Sequence, residues 1–193
     1  MTIDATAVAV ALVAAEPVDL AAAVGPPASG GLPTEPGFYA WWSDLGAIAV
    51  VPHHPHPHHD ELGLLYVGIS PKRASSSGTI RSRVAKHHIG GNTASSTLRL
   101  VLAALLLDEL ELRPRATGKK VVLDKADNGR LRDWQRAHLR LSWCKRAEPW
   151  QVEDDVIAIM EPPLNMAANR AHPFYATVDA ARSAFRINAR AGK

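Results

Sequence analysis

Two short segments rich in aromatic and aliphatic residues constrain the fold more than any other feature of this sequence. Residues 37–42 (Gly-Phe-Tyr-Ala-Trp-Trp) and residues 64–69 (Leu-Leu-Tyr-Val-Gly-Ile) have the length and composition of buried β-strands. Residues 47–51 predict a further strand between them, and the Pro- and His-rich residues 51–60 predict a loop. The order strand, strand, loop, strand predicts a small, mainly antiparallel three-stranded sheet.

Helical spacing of apolar residues dominates the rest of the chain. The pattern predicts helices over residues 79–88, 95–110, 128–138, 150–160 and 175–185, with short extended segments at 119–123 and 139–145. Pro149 opens the fourth of these helices, and Pro162 with Pro163 ends it. Short strands mixed with helices predict an α+β fold, with helices flanking the small sheet.

The domain organisation follows from shifts in composition. Residues 1–35 are rich in Ala, Pro and Gly, and we expect a flexible or loosely docked N-terminal segment with a short helix around residues 18–24. We expect one folded domain over residues 36–170. Residues 171–193 then form a C-terminal helix and a basic tail.

Membrane spans and disulfides are not expected. No apolar run reaches the ~18 residues that a transmembrane helix needs. The apolar start of the chain follows Asp4 rather than Lys or Arg, so it lacks the positive end of a signal peptide. The single cysteine, Cys144, excludes an intrachain disulfide and a thiolate zinc cluster. We therefore expect a cytoplasmic protein without a membrane partner.

Charge is distributed unevenly along the chain. Residues 1–71 contain seven acidic residues and no Lys or Arg, whereas residues 72–193 contain 22 basic and 12 acidic residues. A basic half of this kind suits a polyanion, because each neutralised phosphate releases counterions. Charge alone does not distinguish a nucleic-acid-binding surface from an ordinary solvated one.

The two strand-like segments each contain one tyrosine, Tyr39 and Tyr66. Alternate residues of a strand share a face. Each tyrosine therefore lies opposite three apolar residues, which are Phe38, Ala40 and Trp42 in the first segment and Leu65, Val67 and Ile69 in the second. The two tyrosines could share one sheet face and one site, or they could be half-buried sheet residues without a chemical role.

Two helices carry polar residues at the edge of, or inside, an apolar stripe. Arg83 and His87 are i,i+4 neighbours beside the stripe of the helix at 79–88. Glu153 lies inside the apolar arc of the helix at 150–160, where a carboxylate is costly unless it is paired or bound to a metal. Arg83 and His87 either reach a shallow site or serve as surface and core residues. Glu153 is either a metal ligand or half of a buried salt bridge.

These residues together resemble a known family. Gly37-Phe38-Tyr39 and Tyr66-Val67-Gly68 resemble the two motifs that give the GIY-YIG nuclease superfamily its name. Arg83 with His87 resembles the family's arginine helix, and Glu153 followed by the segment from Pro162 to Asn165 resembles its glutamate helix. The resemblance spans residues 37–165. The chain departs from the pattern at Phe38 and in two long insertions, one before Arg83 and one between residues 88 and 150.

The resemblance implies a DNA endonuclease that uses one divalent ion. Glu153 would hold Mg²⁺ or Mn²⁺, and Arg83 would stabilise charge on the phosphoryl group. Tyr39 would activate the attacking water while Tyr66 orients the water or the phosphate, although the reverse assignment stays open. The family pattern would also give His87 a phosphate-binding or proton-relay role and Asn165 a structural one.

Further basic residues are candidates for contacts with nucleic acid. They are Lys72, Arg73, Arg81 and Arg99. RNA stays open as a substrate, and a non-catalytic nucleic-acid-binding module of the same fold is the main alternative. A third possibility rests on the histidines at positions 53, 54, 56, 58 and 59, which could bind a transition metal or simply occupy a solvent-exposed loop.

Overall fold

The computed structural model describes residues 3–52, 54–167 and 169–191. Its main feature is a five-stranded sheet in the order β1-β7-β2-β4-β3, in which all paired strands are antiparallel. A separate hairpin joins β5 and β6. The strands are β1 (Val18–Asp19), β2 (Gly37–Asp44), β3 (Pro55–His56), β4 (His59–Ser70), β5 (Arg115–Thr117), β6 (Lys120–Val122) and β7 (Leu139–Lys145).

Helices cover both faces of the sheet. They are α1 (Ile3–Ala14), α2 (Leu20–Ala23), α3 (Ile80–Arg83), α4 (Thr97–Leu105), α5 (Lys125–His138), α6 (Glu153–Met160) and α7 (Tyr175–Ala191). α3 continues directly into one π-helical stretch, Val84–Ile89. Side-chain oxygens of Thr79, Ser96 and Asp124 accept hydrogen bonds from the first turns of α3, α4 and α5, which fixes where those helices begin. No helix in these described ranges is long and apolar enough to cross a bilayer.

The α+β class agrees with the sequence, but the three-stranded sheet was wrong. Residues 47–51 form turns rather than a strand, and Ile48 and Val51 are buried as apolar anchors of a loop. Their composition therefore serves packing and not strand pairing. β7 takes the position beside β2, while the two-residue strands β1 and β3 form the sheet edges.

A β-bulge in β4 changes which residues share a face. Trp41 pairs with Tyr66 and Trp42 pairs with Leu64, so Leu65 is an extra residue without a partner in β2. Leu65 therefore packs on the same side as Tyr66, and Leu64 on the opposite side. Strict alternation had predicted the reverse for the two leucines. The tyrosines themselves share one face, as the pattern allowed.

The opposite sheet face is covered by α1 and α6. Leu12 is fully buried there, and the Ser142 hydroxyl of β7 donates a 2.7 Å hydrogen bond to the Leu12 carbonyl. The same hydroxyl accepts from the Trp42 indole N–H at 2.9 Å. The small buried residues Ala5 and Val8 let α1 approach the sheet closely, and the flexible or loosely docked character expected for residues 1–35 stays a prediction.

Two other segments outside the expected domain core are also ordered. The helix expected around residues 18–24 is shorter and is preceded by β1, which pairs with β7. α7 lies beyond residue 170 and buries Val178 and Phe185 in the cluster that also contains residues of α4. The expected boundaries after residues 35 and 170 stay predictions.

Docking of α1 can be tested by a pair of substitutions on that helix. Leu12→Ala should lower the free energy of unfolding by about 2–4 kcal/mol, because it leaves a cavity at a fully buried site. Val10→Ala is the matched control, since Val10 is 61% exposed, and it should change stability by less than about 0.5 kcal/mol. Urea unfolding curves measure both. Equal small effects would show that α1 does not pack on the sheet.

Candidate active site

A buried hydrogen-bonded chain connects the central strand to the helices above it. The Tyr39 hydroxyl lies 2.8 Å from Nε2 of His88, and Nδ1 of His88 lies 2.7 Å from the Ser96 hydroxyl. All three side chains are buried. The Ser96 oxygen also accepts from the Arg99 backbone N–H. With the ring proton on Nδ1, His88 donates to Ser96 and accepts the Tyr39 hydroxyl proton.

Burial sets the protonation states of this chain. Burial, with Tyr66 beside it, raises the pKa of Tyr39 well above its usual value, and the positive charge of Arg83 opposes that shift. Burial also lowers the pKa of His88 well below its usual value, and Arg83 lowers it further. At neutral pH the tyrosine therefore holds its proton and the imidazole is neutral.

The histidine at this position is not the one that the sequence favoured. His87 is exposed and lines an outer cavity, whereas His88 is fully buried against Tyr39. The cause is the π-helical stretch Val84–Ile89. A π-helix has more residues per turn than an α-helix, so His88 points in the direction that His87 would have in a regular helix. One signal was present in the sequence. A regular helix places Ile89 about 180° from Ile80, so this apolar residue would face solvent.

Gly68 makes room for Tyr39. The two residues pair across β2 and β4, and the tyrosine ring lies directly over the glycine. A Cβ atom on residue 68 would come within 2.5 Å of the tyrosine hydroxyl oxygen. The absence of a side chain at this position therefore allows the Tyr39 ring to lie where it does.

Tyr66, Arg83 and Glu153 lie close enough to influence one another and Tyr39. Burial raises the pKa of Tyr66 to about 12, with Arg83 lowering it and Glu153 raising it. Burial also raises the pKa of Glu153, while Lys72 and Arg83 lower it. The charges of Arg83 and Glu153 act on Tyr39 as well. The structure thus brings these side chains from three separate elements to one site.

Two adjoining cavities reach Tyr66, Arg83 and Glu153, whereas Tyr39 is fully buried and lines neither of them. One of about 560 Å³ lies at the end of β4 and is lined by Lys72, Arg73, Arg83 and His87, among others. The other, of about 160 Å³, contains Tyr66, Lys72 and Glu153 in its wall. Lys72 lines both cavities. The larger is cationic and the smaller holds the carboxylate, so a phosphate and a metal ion would find complementary charge in neighbouring spaces.

Glu153 fits a metal ligand. Its side chain is partly buried and makes no hydrogen bond or ion pair with any residue that the structure describes. Asp154 lines the same cavity. No group of three or more His, Cys, Asp or Glu side chains within the described ranges is placed to hold a metal. One carboxylate suits a Mg²⁺ site, because that ion keeps several waters and takes further oxygens from phosphate.

Asn165 holds the chain after α6 against the site. Its side-chain oxygen accepts from the Val67 N–H at 2.9 Å, and its amide donates to the Val67 carbonyl at 2.8 Å. These bonds extend the edge interactions of β4 next to Tyr66. The contacts agree with the structural role that the family pattern implies.

Two of the expected nucleic-acid contacts are occupied inside the protein. Arg81 donates to the carbonyl oxygens of Val24 and Gly25 at the end of α2. Arg99 has no exposed surface, and its guanidinium donates five hydrogen bonds to neutral acceptors. Arg99 is turned inward by the amphipathic helix α4, and its expected contact with nucleic acid stays a prediction. Lys72 and Arg73 do line the outer cavity.

The histidine-rich segment has mixed contacts. His56 is buried against Trp42, with ring centroids 4.4 Å apart, and its Nδ1 accepts from the His58 backbone N–H. The centroid of the His56 ring also lies 4.8 Å from that of His59. His59 lies between Glu16 and Glu61, and His54 packs near His172. Position 53 lies outside the described residues, and no three of the described histidines are placed to hold a metal.

The neutral state of His88 predicts a pH dependence of stability. The unfolded chain protonates this histidine near pH 6.5, whereas the folded protein does so only at much lower pH. Stability should therefore fall as pH falls below about 6.5, by up to about 1.4 kcal/mol per pH unit. His88→Gln should flatten this slope between pH 6.5 and 5, and His87→Gln should flatten it less, because the pKa of the exposed His87 is lowered to a smaller extent. Urea unfolding at several pH values measures it, and identical slopes for the wild type and both variants would contradict a neutral buried His88.

Comparison with known proteins assigns the family. The family model described as the GIY-YIG catalytic domain matches residues 37–184. No curated protein and no solved structure matches the chain significantly. The match begins at the first residue of β2, extends into α7 and contains every residue of the site described above. Since it covers most of the sequence, the chain belongs to the GIY-YIG catalytic-domain family.

Proposed function

We propose that this protein is a metal-dependent endonuclease that hydrolyses phosphodiester bonds in DNA. Membership of the GIY-YIG family suggests nuclease activity. The observation that carries the proposal is that Tyr39, Tyr66 and Arg83 lie near Glu153, a partly buried carboxylate without a hydrogen bond or ion pair to any described residue. A fold used only for binding has no need of an unpaired carboxylate beside two cationic side chains.

Glu153 would hold the metal ion, Mg²⁺ or Mn²⁺. When bound, such an ion polarises a phosphoryl oxygen and stabilises the leaving oxygen. Arg83 would donate to the phosphoryl oxygens as negative charge develops on them, and Lys72 would attract the phosphate from the shared wall of the two cavities. The two cations thereby offset the charge of substrate and carboxylate together.

Tyr39 would pass a proton rather than exist as a tyrosinate. Its raised pKa disfavours loss of the proton to solvent. As the water oxygen forms its bond to phosphorus, one water proton would move to the Tyr39 oxygen, while the hydroxyl proton moves to Nε2 of His88. The Ser96 hydroxyl oxygen would accept a hydrogen bond from the Nδ1–H of the resulting imidazolium. The phosphorus–oxygen bond to the leaving group breaks, and that oxygen takes a proton from solvent.

Tyr66 would orient the attacking water or the phosphate. It lines the cavity that contains Glu153 and its ring lies near that of His88, but only the Tyr39 hydroxyl is hydrogen-bonded to His88 among the described contacts. Its pKa of about 12 keeps the hydroxyl protonated and able to donate a hydrogen bond. This contact with His88 favours Tyr39 over Tyr66 as the proton acceptor.

The main alternative is a non-catalytic module that binds nucleic acid. It is favoured by the resting protonation states, because both tyrosine pKa values are raised and the His88 pKa is lowered. Such a module would bind DNA or RNA and leave it intact. Cleavage assays with plasmid DNA, branched DNA, single-stranded DNA and RNA therefore decide both the activity and the polymer.

Removal of the unpaired carboxylate should abolish the activity. Purified wild-type protein should nick DNA in Mg²⁺ or Mn²⁺ and not in EDTA, and Glu153→Gln should reduce the rate by at least about 10³-fold at unchanged DNA affinity. Glu148→Gln is the control, because Glu148 lies shortly before α6 in sequence and lines neither cavity. Equal cleavage by Glu153→Gln and wild type would rule out Glu153 as the metal ligand.

Two adjacent histidines provide a second test. His88→Gln should lower kcat by roughly 10²–10⁴-fold, since it removes the proton acceptor of Tyr39. His87→Gln, which changes an exposed side chain one position earlier, should lower kcat far less. Single-turnover cleavage with saturating enzyme measures both. A larger loss of kcat in His87→Gln than in His88→Gln would show that His88 is not the proton acceptor.

A further inference from the structure

A third cavity lies outside the site described above. It has a volume of about 310 Å³. It is lined by residues 89–92, which begin at the last residue of the π-helical stretch, and by Arg99, Lys125, Asn128 and Arg132. A water molecule occupies about 30 Å³ of liquid, so the space holds a phosphate group with several waters. The side of the cavity formed by α5 belongs to the long insertion between residues 88 and 150.

Arg99 is a buried cation that has no carboxylate partner among the described residues. Its hydrogen-bond acceptors are all neutral: the carbonyl oxygens of His88, Ile89 and Asn128, and the side-chain oxygens of Asn128 and Gln135. Its Nε–H is buried and has no acceptor within the described part of the chain. Buried charges in proteins are normally paired, because an uncompensated one is costly.

The neighbouring charges increase this imbalance. Burial and the nearby Arg132 lower the Arg99 pKa to about 10. The side chains of Arg132 and Lys125 make no hydrogen bond or ion pair with other described residues. No acidic residue lines the cavity in the ranges that the structure describes. Asp124 is adjacent in sequence, but its carboxylate caps α5 and pairs with Arg115.

We propose that this cavity binds a phosphate group, and that the phosphate belongs to the backbone of the nucleic-acid strand cut at the active site. Lys125 and Arg132 contact the phosphate, and Arg99 supplies positive charge from the floor of the cavity. The first turn of α5 starts at Lys125, so the positive end of that helix adds to the attraction. The source of the phosphate rests on the nuclease function proposed above, whereas phosphate binding itself does not.

The position of Arg99 links the cavity to the catalytic residues. Its Nη1 donates to the His88 carbonyl at 3.3 Å, and Gln135 of α5 donates to the same oxygen at 3.2 Å. The side chain of His88 contacts Tyr39 on its other side. A phosphate bound here is therefore held by the same elements that place the relay, at a fixed separation from the scissile bond. The insertion thus provides a second site of contact with the backbone of the substrate.

The test uses the full-length protein with both free side chains removed. Lys125→Ala/Arg132→Ala should weaken binding of single-stranded and duplex DNA by about tenfold or more, and lower the slope of log affinity against log salt by about 1. Lys119→Ala/Arg190→Ala is the control, because it removes the same charge from two exposed residues that do not line the cavity. It should alter affinity and salt slope less.

A second measurement separates the source of the phosphate and does not depend on nuclease activity. Inorganic phosphate, compared with chloride at equal ionic strength, should raise the Tm of the wild type and of the control by more than that of Lys125→Ala/Arg132→Ala. If only this effect is reduced while DNA affinity stays at the control value, the cavity binds a free phosphate-bearing molecule instead of the substrate strand. If neither DNA binding nor the phosphate effect differs from the control, the proposal is wrong. Loss of cleavage in Glu153→Gln tests the nuclease function separately.

Discussion

The site depends on one buried hydrogen-bonded chain, from Tyr39 through His88 to Ser96. It joins the central strand of the sheet to the π-helical stretch and to the start of α4, two elements that lie far from that strand in sequence. A buried polar group without a partner is costly, so each member of the chain fixes the orientation of the next. The position of Tyr39 is therefore set in part by residues that the two named motifs do not contain.

The π-helical stretch determines what this chain can do. In a regular helix His87 would face the sheet and His88 would lie to one side. The wider turn brings His88 under α4, where Ser96 and Arg99 can reach its ring and its carbonyl. The price is a helix that departs from ideal hydrogen bonding over six residues. As a result, α3 contributes Arg83 to the outer cavity and the π-helical stretch contributes His88 to the buried hydrogen-bonded chain.

The sequence predicted the parts of the fold that depend on local pattern. β2, most of β4, α4, α5 and the helix that carries Glu153 follow from periodicity and capping residues, and the family motifs selected Tyr39, Tyr66, Arg83 and Glu153. Features that depend on tertiary competition were missed. Residues 47–51 have strand composition, but β7 occupies the neighbouring position on β2. The bulge at Leu65 and the inward turn of Arg99 likewise reflect packing against other elements.

Gly68 couples the two motifs mechanically. The ring of Tyr39 packs directly on this glycine, so a residue of the second motif makes space for the tyrosine of the first motif. Even the smallest added methyl group at residue 68 would push the phenol out of line with His88, although neither residue of the relay had changed. A homologous chain that carries any larger residue at this position must therefore hold its first tyrosine differently, and its chemistry cannot be inferred from the presence of that tyrosine.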